Sequence, residues 1–399
     1  MTPWTAARFS AGPLRAPEGM STRLRLRVDG NFLPLFADSF PANDLRYGPA
    51  AIREPVRPPR HCEDTVSKID LATELEAAVV AVRDAASVCQ SVQNDLVNAA
   101  TLEKKDRSPV TVADFASQAL VCSSLSGNSK IDAIVGEEDA ADLREAGAEE
   151  TRDKVVEHVR GVRGAGVSAT QALDWIDLGG VDPDDSTERY WTLDPIDGTK
   201  GFLRGQQYAI ALGLIEHGRV VLGVLGCPNL PGPDGQLGCL VSAIRGQGAE
   251  IRPLNGSGRD GIGAIRVSDI LTTAEARFCE SVESGHSDQG QSAQIAAALG
   301  ITEEPVRVDS QAKYAIVAQG QAQIYLRLPT SKQYREKIWD HAAGMIVVEE
   351  AGGTVSDIRG HPLDFGHGRT LDNNAGVIAT NGPLHDAVLK AVANFVDVG

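Results

Sequence analysis

The sequence has no Cys-x-x-Cys pair, no long apolar run, no excess of positive charge and no internal repeat. Each absence removes a class of protein. The six cysteines (Cys62, Cys89, Cys122, Cys227, Cys239 and Cys279) are scattered, so a zinc site lacks paired ligands. They read as reduced core residues, with a regulatory disulfide left open. No apolar stretch of the chain approaches the roughly 20 residues needed to cross a bilayer, so no membrane partner is expected. The formal net charge of −16 argues against nucleic acid, whose phosphates must be neutralised by Lys and Arg. That charge also sets a problem for any anionic ligand. Local positive charge has to be supplied, and bound metal ions are the obvious source.

The 399 residues suit one large or two ordinary domains. Residues 1–65 differ from the rest: rich in Arg and Pro, without Lys, and with Glu18 as the one acid before Arg27. Such a start fits an organelle transit peptide (chloroplast or mitochondrion). It fits equally a disordered extension or an over-long start with Met20 as internal initiator, and then a cytoplasmic protein. From Lys68 the apolar residues Leu71, Leu75, Ala78, Val79, Val82, Ala86 and Cys89 recur at three- and four-residue steps, which predicts a helix. Ser108–Asp114 reads as a short extended piece, with Asp114 near the N-terminus of a second helix, where an N-cap is one role for it. Ile131–Val135 predicts a strand running into Gly136-Glu137-Glu138-Asp139, three acids that repel one another unless solvated or bridged by a cation.

The stretch with most chemistry is Trp191–Gly205. Tyr190, Trp191, Thr192 and Leu193 are β-favouring, and the strand is expected to stop at Asp194-Pro195, with Asp197-Gly198 as a second turn signal. Asp194 and Asp197 then flank the Ile196 carbonyl on a tight turn. Carboxylate and carbonyl oxygens on constrained backbone suit a hard divalent cation. Gly198, Thr199 and Gly201 would let backbone amides approach a phosphate if a helix starts there. A solvated acidic turn is the plainer alternative. Glu216-His217-Gly218-Arg219 predicts a hairpin, and Leu240–Ile244 a further strand. The Gly-, Pro-, Asn- and Ser-rich residues 252–263 mark a boundary between two parts, 66–258 and 259–399. Later, Ile324–Arg327 is strand-like, and Lys337–Gly344 opens a helix ending at Gly352-Gly353, which puts Asp340 at its N-terminus. Strands at Thr354–Ser356 and Gly376–Ala379 and a helix from Pro383 complete an α/β pattern.

Asp-Pro-Ile-Asp-Gly-Thr with an upstream Gly-Glu-Glu and a downstream Trp-Asp-His-Ala-Ala-Gly resembles the inositol monophosphatase-like superfamily of Mg²⁺-dependent, lithium-sensitive phosphatases. Within it, Asp194–Gly205, Asp309-Ser-Gln-Ala-Lys-Tyr314, Tyr325-Leu-Arg-Leu-Pro329 and Pro362-Leu-Asp-Phe-Gly366 look like the bisphosphate nucleotidase branch. The likeness covers about residues 68–395. It implies a layered α/β/α/β/α fold with two subdomains, an α+β metal-binding part (66–258) and an α/β nucleotide-binding part (259–399). It further implies two to three Mg²⁺ ions on Glu137, Asp194, the Ile196 carbonyl, Asp197 and Asp340, with Asp114 beside them. Asp114 and Thr199 would activate the attacking water. Thr199, His286, Ser310, Lys313, Arg327 and Asp340 would hold the substrate. The activity implied is hydrolysis of the 3′-phosphate of adenosine 3′,5′-bisphosphate, with 3′-phosphoadenosine 5′-phosphosulfate (PAPS) as a second candidate. An inositol phosphate phosphatase of the same superfamily is the alternative, and a bisphosphate sensor without turnover a more distant one. Without the resemblance, Lys313 and Arg327 read as surface salt-bridge partners and His286 as a structural histidine. The oligomeric state is left open.

Overall fold

A computed structural model describes residues 71–98, 108–127, 132–184, 186–256, 261–282, 289–329, 331 and 333–396. The transit-peptide reading of residues 1–65, Cys62 and His286 therefore lie outside the described residues. Two sheets carry the fold. The first uses β1 (Ala133–Gly136), β2 (Arg189–Asp197), β3 (Ala209–Glu216), β4 (Arg219–Pro231), β5 (Leu237–Ile244), β6 (Gly248–Pro253) and β7 (Gly263–Ile265), in that spatial order. β1 runs parallel to β2, and the remaining neighbours are antiparallel. The second sheet has the order β11 (Thr354–Ser356), β12 (Val377–Thr380), β10 (Ile324–Arg327), β8 (Phe278–Glu280), β9 (Val306–Arg307). The first sheet thus continues through β7, past the expected boundary at 258.

Helices fill the spaces in three layers. On one face of the first sheet lie α1 (Ala72–Asn98) and α2 (Ser108–Ser126), with α4 (Glu149–Arg163) and α5 (Ala169–Asp177) packed on α2. The short α3 (Ala141–Arg144) links β1 to α4, and α6 (Thr199–Leu203) follows β2. Between the sheets lie α8 (Ala312–Ala318) and α9 (Ala342–Glu350), in a core with Tyr314, Ile346, Val347 and Leu225. Outside the second sheet lie α7 (Gln289–Ala298) and α10 (His385–Val392), packed with Ile324, Leu326 and Ile378. This is the α/β/α/β/α layering expected from the resemblance. Covering both faces of a sheet requires strands that are apolar on both sides. β3 meets that demand, with every residue but Glu216 buried.

The inner helix sits flat on the first sheet because Gly223 of β4 has no side chain. A Cβ there would lie 2.5 Å from Ile346 Cγ2 and 2.8 Å from the Ala343 carbonyl. The β3–β4 hairpin turns on His217 and Gly218, both at positive φ, as the two-residue loop demands. The five described cysteines are buried, free thiols.

Two local expectations are corrected. Ser108–Asp114 is helical, so Asp114 lies inside α2 and cannot be its N-cap. Pro109 falls in the first turn, where a missing N–H costs nothing, and burial of Val110 and Val112 outweighs the weak helix preference of β-branched residues. The strand β2 also continues beyond Asp194-Pro195 to Asp197, by a change of register rather than an end.

Candidate active site

That register change builds the centre of the site. Asp194 pairs with Ala211 and Asp197 with Ala209, so three steps on β2 match two on β3. The extra residue is a β-bulge, a place where a strand tolerates proline. The Ile196 N–H is taken by Asp194 Oδ1 at 3.1 Å. Gly198 follows at φ +89°, and α6 begins at Thr199. No other residue type fits Gly198 well: a Cβ would come 2.9 Å from Ser310 Cβ.

Three further segments converge on this turn. Glu137 directly follows β1, and its N–H donates to the Leu193 carbonyl at 3.2 Å. The adjoining Glu138 is held at both backbone groups by Gln118 of α2: its N–H donates to Oε1 at 3.1 Å, and its carbonyl accepts from Nε2 at 2.5 Å. Asp340 closes a single 3-10 turn (Ile338–Asp340) ahead of α9. Asp309, Ser310 and Gln311 precede α8. Glu137, Asp194, Ile196, Asp197, Thr199, Ser310, Lys313, Arg327 and Asp340 all line one cavity of about 580 Å³. Asp114 is not among its lining residues, and no hydrogen bond joins it to Thr199. It lies behind the carboxylates, on a helix that packs on α6 and whose Ser117 hydroxyl donates to the Pro195 carbonyl at 3.0 Å.

The electrostatics are those of crowded anions. Burial, then Asp340, Glu138 and Asp197, pushes the Glu137 carboxyl up to about 7. Burial and Asp197 push Asp340 up to about 6, against the opposing pull of His341. Asp194, 2 % exposed, is raised well above the carboxylate range by burial, Glu137 and Asp197. Asp114 is raised by burial, Glu138 and Glu137. The carboxylates of Glu137, Asp194, Asp197 and Asp340 with the Ile196 carbonyl form an all-oxygen donor set on one cavity that suits Mg²⁺, and a divalent cation would relieve the repulsion that otherwise holds protons there. The residues present fit the ion that the resemblance implies.

The cationic residues are not surface salt-bridge partners. Lys313 is 4 % exposed, its Nζ donating to the Ser310 carbonyl at 2.7 Å and lying 5.2 Å from the Tyr325 ring centroid. Burial lowers its pKa. Burial also opposes the charge of Arg327, but Glu336, then Tyr325 and Asp340, outweigh it and raise the pKa.

Three residues with evident work here, Glu336, Gln118 and Arg369, carried no recognisable signal in the sequence. Glu336 accepts from Arg327 Nε at 3.3 Å and lies 3.1 Å from His341 Nε2, whose other ring nitrogen meets the Tyr314 hydroxyl at 2.7 Å. Glu336, Asp340 and His341 could in principle share a cation. Both imidazole nitrogens are engaged, however, so Tyr314, His341 and Glu336 form a hydrogen-bonded relay that ends on Arg327. Gln118 is a buried amide four positions after Asp114, on the same helix face. Arg369 donates to the carbonyl of Gly136 and covers the Trp339 ring at 4.8 Å. Its pattern is that of any loop arginine.

Comparison with known proteins agrees with this architecture. Residues 70–396 match the profile described as "Inositol monophosphatase family". A 3′(2′),5′-bisphosphate nucleotidase of Oryza sativa subsp. japonica is 48 % identical over 344 residues, covering 82 % of this chain and 95 % of the relative. One from Schizosaccharomyces pombe is 45 % identical over 336 residues, covering 80 % and 95 %. The structure of the inositol monophosphatase from Anabaena superposes with a TM-score of 0.54 at 22 % identity, over 82 % of this chain and 98 % of that one, a likeness of fold.

Proposed function

The chain belongs to the inositol monophosphatase family, and from that premise we propose that it is a metal-dependent 3′(2′),5′-bisphosphate nucleotidase. It would cleave the 3′-phosphate of adenosine 3′,5′-bisphosphate to give AMP and phosphate, and act likewise on PAPS. The observation that carries the reading is one cavity lined by the carboxylates of Glu137, Asp194, Asp197 and Asp340, among others, and also by Lys313 and Arg327. A substrate with one phosphate needs the first group. The second suits a further phosphate that is bound and not cleaved.

When bound, Mg²⁺ ions would acidify a coordinated water and neutralise charge on the transferring phosphoryl group. The protein's own residues do the rest. Glu137, Asp194, the Ile196 carbonyl, Asp197 and Asp340 would hold the cations. The resemblance assigns the water's proton to the Thr199 hydroxyl, at the start of α6, with Asp114 behind the carboxylates, although no hydrogen bond joins the two in this structure. Ser310 and Lys313 contact the nucleotide, and His286 is assigned to its base by resemblance alone. Lithium sensitivity, a setting in sulfate metabolism and the count of two to three ions belong to this proposal.

Phosphate release with Mg²⁺ from adenosine 3′,5′-bisphosphate, inositol 1-phosphate and AMP, each with and without lithium, tests the reading. Rapid, lithium-inhibited release from the bisphosphate alone is expected. Preference for inositol 1-phosphate would overturn it while sparing the metal site. Arg327→Ala gives a finer test: loss of a charge-assisted contact worth about 1.5–3 kcal/mol raises KM for the bisphosphate roughly 10- to 100-fold. Adenosine 3′-monophosphate, which lacks the 5′-phosphate, should show little change in KM. Equal effects on both substrates would remove Arg327 from the 5′-phosphate.

A further inference from the structure

Gln311 lies at the junction of the two sheets, 2 % exposed, with its backbone and both ends of its side chain bonded to different segments. Its backbone N–H donates to Asp197 Oδ2 at 2.5 Å. Its side-chain Nε2 donates to the Trp339 carbonyl at 2.7 Å, and its Oε1 accepts from the Gly344 N–H at 3.1 Å. Asp197 ends β2 of the first sheet. Trp339 directly precedes Asp340, and Gly344 lies in the first turn of α9, where N–H groups have no partner within the helix. A single residue thus aims one carboxylate and grips the backbone on both sides of another.

We propose that Gln311 is a positioning residue that sets the spacing of Asp197 and Asp340, and so the affinity of the divalent-cation site these two share. The inference rests on the reading of these carboxylates as cation ligands, and goes beyond it by naming what holds them in register. Asp197 and Asp340 are 143 positions apart in sequence, and like charges brought together repel. Without a tie, the turn that carries Asp340 would be free to relax away from Asp197. The arrangement around Gln311 is built to resist that relaxation. Ser310 adopts φ +73°, an uncommon conformation for serine, which turns the next N–H toward Asp197. Asp309 is anchored in turn by Arg204, just beyond α6, and by the Val282 N–H at 3.1 Å. On the far side, Arg369 over the Trp339 ring steadies the same residue whose carbonyl Gln311 holds. Partners behind a metal's direct ligands commonly change its affinity about 10- to 100-fold when removed. Gln311 is placed to do so for two ligands at once.

The test is Mg²⁺ titration of the thermal midpoint of the full chain, with no substrate present. Gln311→Met keeps the side-chain length and removes both amide bonds. It should raise the Mg²⁺ concentration giving half of the maximal Tm shift by about tenfold or more. Asn381→Leu serves as a comparator for structural damage alone. Asn381 is buried and donates to the carbonyls of Ser268 and Ile270 at 3.1 and 2.8 Å, and none of these three residues lines the cavity. It should lower the metal-free Tm and leave the Mg²⁺ midpoint within about twofold of the unmodified protein, the scatter that an unrelated site produces. If Gln311→Met does not fold, Gln311→Asn replaces it: one methylene shorter, it cannot reach both Trp339 and Gly344, and the same rise is expected. An unchanged Mg²⁺ midpoint in the folded Gln311 variant overturns the proposal. An unmodified protein that shows no Mg²⁺ response overturns the cation reading itself and this inference with it.

Discussion

Asp340→Asn lowers turnover roughly a thousandfold while the protein stays folded and, without metal, melts at a higher temperature than the parent. Loss of a charged ligand at a catalytic cation removes several kcal/mol of transition-state stabilisation, and about 4 kcal/mol corresponds to that factor. The gain in metal-free stability follows from the site itself. Asp340 is the neighbour whose charge raises Glu137 most, and it also raises Asp194. Asn keeps the shape and removes the repulsion. Asp197→Asn should likewise abolish turnover, and the carbonyl of the new amide can still accept the Gln311 N–H. Phosphate release gives the first quantity, and melting in a chelator gives the second. Activity within tenfold of the parent would show that the metal site is wrongly assigned. A lower metal-free Tm would show that Asp340 is a structural partner.

The metal-free protein loses stability as pH rises from about 5 to about 7.5, and Mg²⁺ restores it more at the upper end. The sign follows from which state holds the protons. The Glu137 carboxyl, ordinarily at 4.5, titrates at about 7 in the folded chain. Between those values the folded protein retains a proton that the unfolded chain has released, so raising the pH favours unfolding. Asp340, shifted from 3.8 to about 6, contributes with the same sign over a lower window. Glu137 is an exposed residue, so solvent screening reduces its share of this loss. A divalent cation takes the place of the protons, so the difference in Tm with and without Mg²⁺ is small at pH 5 and largest near pH 8. Taking that difference cancels other titrating groups whose protonation the ion does not touch. An equal Mg²⁺ effect at both pH values would mean that these carboxylates are not what the ion binds. In Asp340→Asn the pH dependence should flatten, which links the two experiments.

Some of the site was legible because the chemistry is written in short segments. Asp194, Ile196 and Asp197 are adjacent, and a Pro and a Gly announce the turn. What could not be read there was its form: a bulge leaves the alternation of a strand almost intact, so β2 looked finished where it only shifts register. The Ser108–Asp114 segment misled for a related reason. Its β-branched residues favour extended backbone locally, and only burial against α1 and the sheet makes it helical. Lys313 and Arg327 look like surface residues by type, since long cations are seldom buried. The burial of Lys313 and the half-burial of Arg327 depend on where α8 and β10 lie, which the sequence does not place.

The sequence by itself determined the donor chemistry: which acids are present, the backbone carbonyl among them, and the absence of thiol pairs or an excess of positive charge that would point elsewhere. It determined the local elements wherever a period or a turn residue was strong. Only the tertiary structure decided that Glu137, Asp194, Asp197 and Asp340 share one cavity with Lys313 and Arg327, and that Gln118, Gln311, Glu336 and Arg369 hold them there. The reason is physical. A helix or turn is a relation among near neighbours and leaves a period in the chain. A hydrogen bond between an amide on one segment and a backbone group on another leaves none, because any glutamine would read the same until the two sheets pack.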